Sequence, residues 1–346
     1  MMGKRIRCAV LGLGRLGYWH ALNASKIQNV EVTTVCDMDL KRAEKAAMEL
    51  GVPKFTNNAE DIFQDDSIDA VIIATPTSTH FELLKKASNS KKAIFAEKPL
   101  TLTVQEAKEI TKIIEDSKSF CQVGFMRRFD PAYAEAKRRI HAGDIGKPIY
   151  FRGISRDPQA PPPEYIKHSG GIITDVSIHD FDIARFLIDS EIQSVDTKGS
   201  ILKYPFVSEY DDVDHALSFI RFTSGAAGDI EASRNAYYGY DIRAEVVGTE
   251  GTIQIGNALN HHNVNILTKS GQTHDILPGF SERFATAYSL ELDEFFSDVR
   301  EGNDSKVTAR DGLKALEVLV AANKSLKEQR EVYVEESEGE LSSVER

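Results

Sequence analysis

The chain has 346 residues, a formal net charge of −11 and 41% apolar side chains, enough for two domains with sizeable cores. With Lys137-Arg138-Arg139 as its densest cationic run, on what reads as a solvated helix face, it excludes a nucleic-acid partner. No apolar run approaches the ~20 residues of a membrane helix. The first residues lead into a strand pattern without a signal-peptide core, so a soluble, cytoplasmic protein is expected. Cys8, Cys36 and Cys121 each fall inside apolar runs and are expected to be reduced core residues, too few for a disulfide framework.

In chain order, strands are predicted over 6–11, 30–36, 70–74, 93–96 and 120–123, with helical spacing between them at 40–50 and 104–114. Such alternation implies a doubly wound parallel sheet covered on both faces, an α/β Rossmann domain over 1–124. A helix at 132–140 and the turn 142–148 mark a change of character. Strand patterns then follow at 149–154, 215–222, 226–231, 243–247 and 252–255, interrupted early by a helix at 175–187. They predict an α+β domain over 125–334 with a large, mostly antiparallel open sheet, closed by helices at 289–300 and 309–327. The acidic tail 335–346 is expected to be disordered.

Gly12-Leu13-Gly14-Arg15-Leu16-Gly17 follows the first strand and opens a helix, the context that makes a Gly-x-Gly-x-x-Gly match credible. The first glycine allows the turn, the second a close approach to a pyrophosphate, the third tight helix–strand packing. Asp37 stands 20 residues after Gly17, next to Met38. A carboxylate there accepts from ribose hydroxyls and repels a 2′-phosphate, which favours NAD over NADP, although Lys41 and Arg42 lie nearby and blur the preference. The turn 74–80, with Thr75, Pro76 and His80, ends the fourth strand, where ligands sit in such sheets. It reads equally as a helix start capped by Ser78 or Thr79.

Two further stretches carry chemistry: Glu97-Lys98-Pro99, and Gly170-Gly171 leading to Asp175, His179 and Asp182. Oxidising a secondary alcohol needs a group that takes the hydroxyl proton while hydride leaves the carbon. Histidine suits that by its pKa, an ammonium holds the developing alkoxide, and a carboxylate orients the imidazole. Asp175 and His179 are four apart on a predicted helix and share a face. An isolated pair of this kind is more often a surface ion pair, and Lys98 alone a solvated strand-end lysine. The double glycine, the apolar flanks and Pro99 favour the chemical reading. Asp175, His179, Asp180 and Asp182 supply too few converging ligands for zinc or a hard cation, so no metal is expected.

Taken together, these motifs, with Gly124–Asp130, Ser155-Arg156-Asp157-Pro158 and Tyr238–Asp241, resemble the glucose-fructose oxidoreductase/inositol dehydrogenase/MocA-like family, and within it the inositol 2-dehydrogenases, from about residue 5 to 333. The resemblance implies Lys98, Asp175 and His179 as catalytic residues. It implies NAD held by Gly12, Leu13, Gly14, Arg15, Leu16, Gly17, Asp37, Met38, Thr75, Pro76, His80, Glu97 and Lys98. A cis peptide before Pro99, frequent in the family, would aim Lys98 at the ligand. A polyol ring is expected to meet Lys98, Asp157, Asp175, Val176, His179, Asp182 and Tyr240, with Arg127 or Arg128 near. Ser155, where some myo-inositol enzymes carry histidine, and the proline run 158–163 leave room for scyllo-inositol or a pyranose. The expected activity is NAD-dependent oxidation of an inositol to its 2-ketone. The alternatives are a pyranose or anhydrosugar dehydrogenase, and a non-catalytic NAD/sugar sensor. The resemblance, and apolar strand residues such as Phe219, Phe222, Ile253 and Ile255, imply a homo-oligomer, a tetramer joined sheet to sheet.

Overall fold

The computed structural model describes residues 5–256, 260–336, 339 and 341. The chain divides into two compact units, Met1–Met126 with Thr286–Leu316, and Arg127–Ala285 with Glu317–Arg346.

The first unit runs β1 (Ile6–Leu11), α1 (Arg15–Ala24), β2 (Val30–Cys36), α2 (Leu40–Leu50), β3 (Lys54–Thr56), α3 (Glu60–Phe63), β4 (Ala70–Ile73), α4 (His80–Asn89), β5 (Ala93–Glu97), α5 (Val104–Ser117) and β6 (Cys121–Gly124). Its six strands are all parallel in the order β3-β2-β1-β4-β5-β6, the doubly wound arrangement. β1, β4 and β5 are buried along almost their whole length, which is why they read as unbroken apolar runs. Helix starts follow their caps. The Asp39 carboxylate accepts from the Lys41 and Arg42 amides, and Thr103 and Glu106 form a capping box. Thr79 precedes α4, yet its side chain makes no cap bond; the hydroxyl donates to the Pro76 carbonyl instead, at 2.8 Å. The three cysteines are free and buried, and burial pushes the Cys36 thiol up to about 11 and Cys121 to about 12.

The second unit contains α6 (Pro131–His141), β7 (Pro148–Arg156), α7 (Pro163–Ser169), α8 (Ile178–Ile188), β8 (Ile192–Ser200), β9 (His215–Phe222), β10 (Ala227–Ser233), β11 (Asp241–Gly248), β12 (Thr252–Ile255), β13 (Asn260–Thr268) and β14 (Gly271–Ile276). The chain ends with α9 (Phe280–Glu301), α10 (Ala309–Glu328) and β15 (Val332–Tyr333). Seven strands form one sheet, β12-β11-β7-β10-β9-β8-β15, antiparallel except for the parallel pair β7 and β10. β9 alternates strictly, with Ala216, Ser218, Ile220 and Phe222 inward and Leu217, Phe219 and Arg221 outward. Phe222 and Ile255, read from the sequence as part of an exposed apolar face, are therefore core residues, 1% and 3% exposed.

Two further expectations change. The sequence reading gave the closing helices to the second domain, but residues 286–316 return to the first unit, where Leu292, Phe295 and Phe296 share a core with Val10 and Phe95. The helix expected from Asp175 begins instead as a π-helical turn, Ile173–Ser177, before α8 proper. Of the tail, Val334–Glu336 form a 3₁₀ turn; 337, 338, 340 and 342–346 lie outside the described residues.

Candidate active site

In the first unit, the predicted residues gather at the carboxyl ends of the strands, around the switch point between β1 and β4. Gly12 has φ +85°, and a Cβ there would sit 2.6 Å from the Ala74 carbonyl oxygen. Gly17 packs on the same turn, and its Cβ would lie 1.9 Å from the Gly12 carbonyl oxygen. Gly14 is the opposite case. It precedes α1 without a side-chain cap, a Cβ on it would meet nothing within 4 Å, and the first turn carries no acidic residue. A helix N-terminus left open with its amides uncapped suits a pyrophosphate, so the residues fit a dinucleotide. Arg15 is exposed and Leu16 half-buried on that first turn.

Asp37 is buried and fixed by three donors. The Leu13 amide reaches Oδ2 at 2.8 Å, the Asp39 amide reaches Oδ1 at 2.9 Å, and the Arg42 guanidinium contacts both oxygens at 3.1 and 3.2 Å. Met38 beside it is 88% exposed. His80 is buried, with Nε2 3.0 Å from the Thr75 carbonyl oxygen and Nδ1 2.9 Å from that of Pro99. It thus ties the β4 turn to the segment after β5. Burial holds its pKa below the ordinary histidine value against the pull of those carbonyls. Thr75 is half-buried and Pro76 exposed. The Lys98–Pro99 peptide is cis, Lys98 is half-buried, and Glu97 points inward.

In the second unit the chemistry gathers where β7 and β10 end and the π turn begins. Asp157 follows β7, Asp175 and Val176 sit in the π turn, and His179 is on the first turn of α8, 8% exposed. π-helical turns are concentrated at functional sites because they re-aim side chains that α spacing would place elsewhere. Arg234, just after β10, is the hub that the sequence reading missed. Its Nη1 donates to Asp157 Oδ2 at 2.6 Å and its Nη2 to Asp175 Oδ2 at 2.9 Å, while the Tyr165 hydroxyl donates to Asp175 Oδ1 at 2.9 Å. The guanidinium is 2% exposed. Asp175 and Asp157 hold it charged despite burial, and burial holds the Asp157 carboxyl above its usual range against Arg234. No local motif marks Arg234; its partners lie 77 and 59 residues away.

Other predicted residues are occupied elsewhere. Arg127 donates to Asp180 Oδ1 at 2.7 Å and to the Ser155 hydroxyl at 3.2 Å, and that hydroxyl donates to Asp180 Oδ2 at 2.6 Å, all three being buried. Asp182, with no exposed surface, accepts a two-pronged pair from Arg128 at 2.9 and 2.6 Å. These pairs anchor α8 to the segment after β6. Tyr240 is partly buried with its ring edge-on to Phe284 at 6.5 Å, and burial raises its phenol above the ordinary value.

A Rossmann unit with an open glycine turn, followed by a sheet unit holding a buried histidine and anchored carboxylates, defines a nucleotide-dependent oxidoreductase. Residues 6–125 match the model of the oxidoreductase family's NAD-binding Rossmann fold, and residues 137–335 that of its C-terminal alpha/beta domain. The chain belongs to the glucose-fructose oxidoreductase/inositol dehydrogenase/MocA-like family. It is 54% identical over 327 residues to the scyllo-inositol 2-dehydrogenase (NAD(+)) of Bacillus subtilis, covering 94% of this chain and 95% of that one. It is 38% identical to the myo-inositol 2-dehydrogenase of Thermotoga maritima, covering 96% and 99%. The crystal structure of scyllo-inositol dehydrogenase from Lactobacillus casei with bound NAD(H) and scyllo-inositol superposes with a TM-score of 0.92 at 30% identity, covering 96% and 100%. Among the described residues no helix is long and apolar enough to cross a membrane.

The Asp37 arrangement makes a testable statement about cofactor choice. Asp37→Ser removes the carboxylate and releases the half-exposed Arg42 guanidinium, so the ratio of kcat/KM for NAD over NADP is expected to fall at least about tenfold. Steady-state rates with each cofactor measure it. A wild-type protein that already uses both equally would sink this reading of Asp37.

Proposed function

We propose that this protein oxidises one secondary ring alcohol of an inositol, scyllo- or myo-, to the 2-ketone, with NAD as acceptor. The observation that carries the reading is the 54% identity, along nearly the whole chain, to an NAD(+)-dependent scyllo-inositol 2-dehydrogenase, with Lys98, Asp175 and His179 all present. When bound, NAD supplies the two-electron acceptor; Gly12–Gly17, Asp37, Thr75 and Pro76 would hold it. His179 takes the hydroxyl proton on its imidazole. The Lys98 ammonium holds the negative charge that develops on the alcohol oxygen. Asp175, fixed by Arg234 and Tyr165, sets the electrostatics around the histidine. Asp157 and Tyr240 supply further polar atoms for ring hydroxyls, and a site built on such groups rejects an epimer that leaves them unpaired. Asp182 and Arg127, locked in buried ion pairs, hold α8 in place. His80 and Glu97 likewise support the strand ends from within.

The test follows NADH absorbance while the protein is mixed with NAD and, separately, scyllo-inositol, myo-inositol, glucose and levoglucosan. NADH is expected with the inositols. Turnover confined to glucose or levoglucosan would replace the reading with a pyranose dehydrogenase. Silence across the panel despite tight NAD binding would make the protein a sensor.

We also propose a homo-oligomer, a tetramer closed by sheet-to-sheet contact. Supporting it, the outward sheet face exposes Leu217 and Phe219 beside the Arg152–Asp229 and Arg156–Glu231 pairs. Light scattering at micromolar concentration is expected to give about four times the chain mass; a value near 38.4 kDa overturns it.

A further inference from the structure

Behind the carboxyl end of β5, three buried side chains from distant parts of the chain converge: His20 on α1, Glu97 on β5 and Glu291 on α9. They are 1%, 6% and 0% exposed, and one nitrogen or oxygen atom of each lies within 4.8 Å of the others. His20 Nε2 stands 2.6 Å from Glu97 Oε1 and is the donor, since a carboxylate only accepts. Glu97 Oε2 accepts from the backbone amide of Lys98 at 3.2 Å. Gly124 leaves room for this carboxylate, because a Cβ there would come within 3.1 Å of it. Apolar rings line the cluster: Phe95 and Tyr288 stand edge-on to the His20 imidazole at 5.1 and 5.9 Å.

Glu291 is the anomaly. Both of its carboxyl oxygens are fully enclosed, and no donor reaches either. The nearby Gln122 amide donates to the Glu291 backbone carbonyl instead, at 2.8 Å. A buried carboxylate without donors, beside a second carboxylate, is untenable as an ion. A proton resolves both difficulties, because it removes the charge and gives Glu291 an O–H, and Glu97 is the neighbouring acceptor, with oxygens of the two carboxyl groups inside the 4.8 Å cluster. Two carboxyl groups sharing one proton are a known answer to this crowding. Burial, and then the Glu97 charge, push the Glu291 carboxyl well above the usual carboxylate range, in the same direction as the geometry.

We propose that Glu291 is a neutral carboxylic acid that shares its proton with the Glu97 carboxylate, and that this makes it a positioning residue for Lys98. Glu97 is adjacent to Lys98 in sequence and already holds its amide. Deprived of the Glu291 proton, the Glu97 carboxylate would compete for the Lys98 ammonium and draw it from the alcohol oxygen. The shared proton adds to the His20 and Lys98 amide donors on Glu97 and leaves the ammonium free. The role for Lys98 rests on the dehydrogenase reading above; the shared proton does not.

The test uses the full-length protein. Glu291→Met, which keeps the bulk but gives no donor, is expected to lower kcat about tenfold with KM for NAD changed less than about twofold. Glu291→Gln, whose amide donates as the acid does, is expected to restore kcat and to melt like the wild type. Infrared spectroscopy near neutral pH should show the carbonyl stretch of a protonated carboxyl in the wild type and not in E291Q. A Glu291→Met variant with wild-type kcat would leave Glu291 a plain core residue. An E291Q protein that is inactive or unfolded, or a stoichiometric divalent ion lost from E291Q, would show that an ionised carboxylate is needed and overturn the proposal. Should the wild type oxidise no inositol at all, the dehydrogenase reading fails alone, and the infrared band with the E291Q melting curve still decides the proton.

Discussion

Replacing His179 with alanine is expected to lower turnover by on the order of 10² to 10⁴ while leaving NAD affinity largely intact. The imidazole is the proposed proton acceptor, and alanine removes the only atoms at that position able to take a proton. In the proposed reading NAD affinity rests instead on the glycine turn, the open start of α1 and Asp37, none of which the change touches. His179 is also buried, so some stability goes with it; a melting curve separates that loss from the loss of rate. Kinetics at saturating polyol and NAD, with NAD binding measured by titration, provide the check. A variant that folds and turns over at a near-normal rate would remove His179 from the mechanism.

Those residues were within reach of the sequence because their signals are local. The glycine turn, the two apolar strands that flank it and the Asp175–His179 pair each occupy a short window, and burial patterns reproduce the strand readings for β1, β2 and β9 closely. Elements without such a window were missed. β8 turns polar Ser194 and Thr197 inward, where the Glu331 carboxylate and the Ser218 hydroxyl satisfy them, so its apolar alternation is broken. β14 is exposed along its whole length and carries no apolar face. The π turn escaped because nothing in composition separates it from an α-helical start. Long-range polar partners were the least legible. His20, Glu97 and Glu291 meet only once the sheet and α9 are in place, and Arg234 finds its carboxylates across two other elements.

That last arrangement carries the second large effect. Arg234→Leu is expected to lower stability by about 3–5 kcal/mol, because it takes a buried guanidinium away from two mostly buried carboxylates that it pairs with. Asp157 and Asp175 are 25% and 17% exposed, too little for solvent to take over. For a unit of this size such a loss corresponds to a fall in Tm on the order of 10 °C. The same change removes the Arg234 bond that helps fix the Asp175 carboxylate, and kcat/KM for the polyol should drop by on the order of 10² as its geometry slackens. Charge, rather than lost packing, is the proposed cause, and a double variant distinguishes the two. Adding Asp157→Asn to Arg234→Leu removes one uncompensated charge and should recover part of the stability, a coupling that a cavity alone would not give. Thermal unfolding of the single and double variants measures it. A single variant melting within about 2 °C of the wild type would mean that Arg234 is not the electrostatic centre of this half of the site.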